Sequence, residues 1–252
     1  MRAIVYAVAG SHPVRAALLM LDRKGVEWRR RDLPNVIDRP MLRAMGFPGP
    51  TVPAVKIDGR KVQTSRALAR LLDELIPEPP LFPSDPDRRA AVEGAERWGD
   101  EVLQGVARRL AWAALKRDGS GLRSFIEGPI MGIPAGLAAA TAGPLVAGSA
   151  RINKATDEAV RADLITLPAL LDQVDDLIAN GIVGGDEPNA ADFQIFTSVR
   201  LLTCFEDLQP LLAGRPGAAE AMRLVPVYPG WIPAVFPPEW LPSGQPAAAA
   251  SS

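Results

Sequence analysis

The chain has 252 residues and a mass of 26.9 kDa, enough to bury a sizeable core as one large domain or two small ones. Hydrophobic residues make up 48% and charged residues 23%, which excludes an acidic disordered chain, and 22 glycines with 25 prolines fall short of a collagen-like or mucin-like composition. A net charge of −1, from 28 basic and 29 acidic side chains, excludes an overall basic field for nucleic acid or anionic lipid.

The charge is unevenly spread. Residues 1–78 carry 14 basic and 8 acidic side chains, a net of +6 that leaves −7 for the remainder, so a small anionic ligand finds its attraction in the first third. The single cysteine, Cys204, permits no intramolecular disulfide, and no Cys/His cluster points to a metal.

Residues 3–8 form a short apolar run that reads as a buried strand entering the turn Gly10-Ser11-His12-Pro13, not as a secretory leader, so a cytoplasmic location is expected. Val14 to Lys24 places Val14, Ala17, Leu18 and Leu21 on one helical face, closed by Gly25. Val26 to Leu33 reads as a second strand with Arg29, Arg30 and Arg31 on a solvated or edge position, and a short helix covers Met41 to Met45. Val52 to Ile57 and Arg60 to Gln63 form a hairpin around Asp58-Gly59, with Pro53 placed at a sheet edge beside a cis bond. Ser65 opens a helix whose Ala67, Leu68, Leu71, Leu72 and Leu75 keep helical spacing. The order is β-α-β-α-β-β-α.

Five prolines in residues 76–88 mark a linker. Helical patterns follow over Asp87 to Lys116, Thr156 to Ala179 and Ala190 to Phe205, with Gly181 to Val183 as the one strand candidate. Gly128 to Ala150 carries no charge, and Pro129, Pro134 and Pro144 interrupt it. The residues alone admit a membrane span, a membrane-surface or partner-binding loop, or a buried or flexible helical connection. Val225 to Pro242 reads as extended chain on the surface and Ala247 to Ser252 as disordered. The expected division is 1–78, a linker 79–88, a helical domain 89–224 and an extended Pro-rich tail 225–252.

A strand, a turn carrying Ser11 and a helix starting beside it form an arrangement that stabilises anions through unpaired N–H groups and the helix dipole. Ser11 is therefore either a plain N-cap or a donor to a bound thiolate. Tyr6, near the end of the first strand, is the second candidate for that role, against half-buried packing. His12 adjoins Ser11, but neighbouring side chains at a helix start diverge, so a nucleophile-base pair is not expected. Asn189 and Asp192 read as helix caps and Cys204 as core. Trp98 and Trp112 belong either to the core or to a cleft.

Ser11-His12-Pro13-Val14-Arg15-Ala16 resembles the Ser-x-Pro-x-Arg-Ala/Ser motif of theta- and delta-class cytosolic glutathione S-transferases. Thr51-Val52-Pro53-Ala54 is similar to the cis-proline segment of that superfamily, and Thr64-Ser65-Arg66-Ala67-Leu68 to its Glu/Gln-Ser-Arg-Ala-Ile signature. Pro188 to Phe193 is similar to its Ser/Thr-x-x-Asp capping box. The resemblance implies an α+β thioredoxin-like domain followed by an all-α domain, with glutathione or another low-molecular-weight thiol as co-substrate in the groove between them and no metal. It implies Ser11 facing the sulfur, the Val52 backbone before Pro53 pairing with the cysteinyl portion, and Ser65 holding the γ-glutamyl carboxylate with Arg66 nearby. An apolar electrophile would lie on the helical domain, with Trp98 and Trp112 as pocket residues. A homodimer is expected, using an outer face of the third helix that includes Ala69 and Leu72.

Two departures from the family pattern stand out. Thr64 replaces the Glu or Gln that contacts the ligand's amino group, and Pro50 stands where some members have a histidine. They favour the alternative of a non-catalytic ligand-binding or scaffolding protein of the same fold; a membrane-associated carrier with surface contact through 128–150 is a separate, third reading.

Overall fold

The computed structural model describes residues 1–242. The chain opens with β1 (Arg2–Ala7), α1 (His12–Arg23), β2 (Glu27–Asp32), α2 (Asp38–Ala44), β3 (Ala54–Ile57), β4 (Arg60–Gln63) and α3 (Ser65–Leu75). The sheet order is β2-β1-β3-β4, with β2 parallel to β1 and both β3 and β4 antiparallel to their neighbours. This is the expected thioredoxin-like domain. The central strand alternates, burying Ala3, Val5 and Ala7 in the main core with Val14, Ala17, Leu18 and Leu21 of α1, while Tyr6 packs on a second cluster of Leu33, Leu42 and Phe47. The hairpin turn places Asp58 and Gly59 at φ 42 and 90, the two positive values that a two-residue turn matching strand twist demands.

The Val52-Pro53 bond is cis, but Pro53 does not sit at a sheet edge. β3 is an internal strand that starts one residue later, so the missing N–H of Pro53 falls before the ladder. Its carbonyl accepts the Thr64 N–H at 3.0 Å. The edge positions belong to β2 and β4, and exposed Arg29 and Arg31 lie on the former.

The proline-rich connection is clamped. Lys24, whose side chain is fully buried, donates to the carbonyls of Ile76 (2.6 Å) and Pro79 (2.7 Å) and pairs with Asp73 at 2.6 Å. Asp73 in turn accepts the N–H groups of Leu81 and Phe82. A long rod follows, α4 (Pro86–Trp98), a π-helical stretch (Gly99–Leu103) and α5 (Gln104–Arg117). Beyond it come α6 (Ala135–Ala140), α7 (Gly143–Ile152), α8 (Asp157–Ala179), α9 (Ala190–Leu202), α10 (Gln209–Leu212) and α11 (Pro216–Leu224).

Almost every residue of α9 is buried, because it packs against α1, α4, α5 and α11 and so forms the centre of the molecule. A reciprocal cap starts it: Asn189 accepts from the N–H of Ala191, and Asp192 accepts from the N–H groups of Asn189 (2.8 Å) and Gly184 (2.6 Å). Gly181 to Val183 is a turn closing α8 instead of a strand; its N–H groups bond back to Ile178 and Leu177.

Two further expectations need correction, and of the alternatives left open for 128–150 the helical connection is the one observed. Ala69 and Leu72 are each 0% exposed inside the chain, covered by the packing of α3 on α1 and α9, and offer no outer face. Residues 128–150 fold as a tight turn bridging Ile130 and Ile133 and then α6 and most of α7, with Met131, Ile133 and Leu137 exposed. No helix among the described residues is long and apolar enough to cross a membrane. Residues 225–242 are extended apart from one 3-10 turn, Pro238–Trp240, but do not simply lie on the surface: Tyr228, Ile232 and Phe236 are buried, Ile232 bridges Phe205, and the Phe236 ring stacks on Phe205 at 6.4 Å. The segment expected to be disordered, 247–252, lies outside the described residues.

Candidate functional site

The turn between β1 and α1 is built for close approach. Gly10 has φ +70, and a Cβ there would lie 2.8 Å from Cδ1 of Phe125, so only glycine fits. Behind it, Tyr228 Oη donates to the Gly10 carbonyl at 2.6 Å. Ser11 takes the N-cap position of α1 with extended backbone, yet its hydroxyl makes no capping bond. It lines a cavity of ≈ 150 Å³ between the two domains, with His12 beside it, Pro50 to Val52 on the loop opposite, and Arg108 and Trp112 on α5. A second, apolar cavity of ≈ 110 Å³ shares Val8, Trp112 and Leu122 with the first and is roofed by Ile130, Ile133, Ala138 and Leu145.

Val52 leaves its backbone N–H and C=O without partners among the described residues. Buried Gln63 fixes the loop ahead of it, accepting from the Gly49 N–H at 2.6 Å and donating to the carbonyls of Gly49 and Thr51 at 2.7 Å each. Sequence reasoning missed Gln63, since a polar residue ending a strand carries no signal of what it binds.

The α3 motif points elsewhere. Thr64, at φ 75, accepts the Ala67 N–H and caps the helix. Ser65 is 3% exposed and its Oγ donates to Gln194 Oε1 at 2.6 Å, while Gln194 Nε2 donates to Gln104 Oε1 at 2.9 Å. Arg66 faces Glu96, Asp100 and Glu101 at 3.5, 3.8 and 3.6 Å. None of these three residues lines the cavity. Tyr6 lies in a separate groove with Arg15 and Arg30, edge-on to Phe47 at 5.6 Å. Trp98 packs against the core at the end of α4, outside the cavity, whereas Trp112 lines it. The structure thus brings together Ser11, Val52 and Trp112 and sets Tyr6, Trp98 and the α3 residues apart.

Two polar groups that sequence reasoning did not assign to the site share its walls. His12 is 3% exposed with Nε2 unpartnered, and burial, reinforced by the charge of Arg108, holds its pKa down to about 3. The imidazole is neutral at physiological pH. Arg108 is largely buried with no hydrogen-bonding partner among the described residues, and burial pushes its guanidinium below the ordinary value. By contrast Glu127 bonds both Arg15 (2.8 Å) and Arg30 next to the Gly10-Ser11 turn. Burial works against its charge, but the two arginines outweigh it and hold its carboxyl below the usual range. Cys204 is buried and its thiol is pushed up to about 11 by burial, so it is not a reactive thiolate.

With this geometry in hand, comparison with known proteins is informative. Residues 5–80 match the family model of the glutathione S-transferase N-terminal domain. The chain has the glutathione S-transferase fold. A glutathione S-transferase from Rhodospirillum rubrum superposes with TM-score 0.58 at 19% identity, over 88% of this chain and 87% of that one. FzlA from C. crescentus gives 0.59 at 18% identity over 89% and 88%. Beta-etherase LigF from Sphingobium gives 0.58 at 16% identity over 88% and 99%. At such identities the likeness speaks to the fold alone. No curated protein matches the sequence. In terms of the glutathione S-transferase fold, the cavity at Ser11 lies in the groove between the thioredoxin-like and helical domains, and the second cavity extends it under α6 and α7.

Proposed function

We propose that the chain is a glutathione S-transferase-like enzyme that seats a small thiol, glutathione or another of its kind, in the interdomain cavity and joins it to an apolar electrophile in the adjoining pocket. One observation carries the reading: the Ser11 hydroxyl stands at the start of α1, faces the cavity and is not used as a helix cap. A free hydroxyl beside a helix N-terminus stabilises a thiolate over a thiol and raises the reactive fraction near neutral pH. The thiol proton leaves to solvent, and the thiolate sulfur bonds to the electrophilic carbon as the electrophile's leaving group, chloride in an aryl chloride, departs with the electron pair of the bond that breaks. The free N–H and C=O of Val52 pair with the peptide-like part of the thiol as a one-residue strand addition. Proximity and thiolate stabilisation supply the rate. The test is conjugation of glutathione to an activated aryl chloride: turnover that falls in Ser11→Ala supports the reading, and turnover no greater than the uncatalysed reaction refutes it.

A second reading has its own observation. The Ser65 hydroxyl is engaged by Gln194 and Arg66 by three carboxylates, so the anion seat expected at α3 is satisfied internally. Together with Thr64 and Pro50 this favours a ligand-binding protein without tight thiol binding. Calorimetric titration separates the two. The transferase binds glutathione with an affinity that weakens with salt, whereas the carrier binds only apolar ligands and responds little to salt.

A further inference from the structure

The sheet ends at β2, and beside this edge lies a groove of ≈ 790 Å³ that shares no lining residue with the cavity at Ser11. The Leu33 N–H bonds the Ala7 carbonyl at 2.8 Å, so the two-residue period of the strand turns the backbone groups of Arg29 and Arg31 toward β1 and those of Trp28, Arg30 and Asp32 outward. Among the described residues no other backbone group bonds to these three. Arg30 bonds Asp32 at 2.8 Å and also Glu127, and Arg15 bonds Glu127, so those cations are satisfied. Arg29 and Arg31, on the other face of the strand, are exposed and form no ion pair among the described residues. Arg31 lines the groove with Met41, Met45 and Met131, the last 62% exposed, and Trp28 lines it from the α1 side. Arginines on an edge by themselves only discourage pairing, but unbranched, polarizable methionines beside them offer apolar surface that adapts to a partner. Charge selects that partner. A second copy would set Arg29, Arg30 and Arg31 against the same three arginines, and residues 243–252 of this chain carry no acidic side chain. Two unpaired guanidiniums about 7 Å apart along an extended strand match carboxylates on alternate residues of a strand laid beside it.

We propose that the β2 edge is a docking site for another protein, which adds an extended segment as a fifth strand. Acidic residues at every second position of that segment pair with Arg29 and Arg31, its backbone bonds to the outward groups of Trp28, Arg30 and Asp32, and its apolar residues enter the groove. The site is separate from the transferase reading and does not rest on it.

The probe is a fluorescein-labelled peptide, Glu-Leu-Asp-Phe-Glu-Val-Asp with blocked ends, titrated with the full chain and followed by fluorescence anisotropy. Saturable binding is expected, weakened about tenfold or more by Arg31→Glu and by Arg29→Glu, both exposed substitutions whose folding is checked by circular dichroism. Three altered peptides leave the protein untouched. Replacing every acid by its amide, gathering the acids into one block, or N-methylating alternate backbone nitrogens should each weaken binding about tenfold or more, the last because it removes ladder donors while keeping the charge. Absence of saturable binding overturns the proposal. Binding that survives N-methylation or the blocked arrangement is general attraction to a basic surface and overturns it as well. Sedimentation equilibrium and competition cover the other occupants. If the chain self-associates and the peptide dissociates it, the occupant is a second copy; if a peptide of residues 243–252 displaces the probe, it is the chain's own tail; in either case the proposal falls.

Discussion

Ser11 and His12 adjoin at the start of α1 and play opposite parts. Because the Ser11 hydroxyl caps nothing, Ser11→Ala should change stability by no more than about 0.5 kcal/mol, while thiol transfer falls roughly ten- to a thousandfold, as when one donor to an anion is removed. Paired thermal melts and initial rates check this. His12 is structural: its folded pKa of about 3 lies below the ordinary 6.5, so its contribution to stability is present above pH 6.5 and is lost progressively as pH falls toward 3. Relative to His12→Leu, the wild type should lose about 2 kcal/mol between pH 7 and pH 5, measured by denaturant unfolding. A difference independent of pH would show that the imidazole takes up its proton in the fold as readily as in the unfolded chain. Arg108 and Arg109 are adjacent and chemically identical in the sequence. Only the packing of α5 turns one to Asp163 and leaves the other in the cavity.

At the scale of elements, legibility followed local chemistry. The Asp58-Gly59 hairpin, the apolar face of α1 and the Asn189-Asp192 cap could be read directly, because a turn residue, a 3.6-residue period and a cap each act over a few neighbours. What depended on distant partners was not legible. Pro53 looked like an edge residue because the start of β3 is set by its pairing with β1. Ala69 and Leu72 looked like an outer face because the cover supplied by α1 and α9 is remote in sequence. The free hydroxyl of Ser11 and the Ser65-Gln194 bond likewise turn on contacts between segments far apart. For the cap, Asp192→Ala strands the N–H groups of Gly184 and Asn189 in a buried setting and should cost about 2 kcal/mol by denaturant unfolding.

Over the whole molecule, the site is assembled from three separated stretches, the Gly10-Ser11 turn, the loop before Pro53 and the Arg108-Trp112 turn of α5. Residues 225–242 hold the first of these from behind through Tyr228 and close the helical domain with Ile232 and Phe236. Tyr228→Phe removes the bond to the Gly10 carbonyl, and stability should fall by about 1 to 2 kcal/mol together with thiol affinity, as measured by melting and calorimetry. Thiolate stabilisation at Ser11 is the central claim, and the ultraviolet absorption of the bound thiol tests it most directly. In the wild type the pKa of bound glutathione should lie below that of the free thiol, and Ser11→Ala should return it toward the free value. A bound thiol whose pKa matches the free one, or is the same in both proteins, would contradict the account.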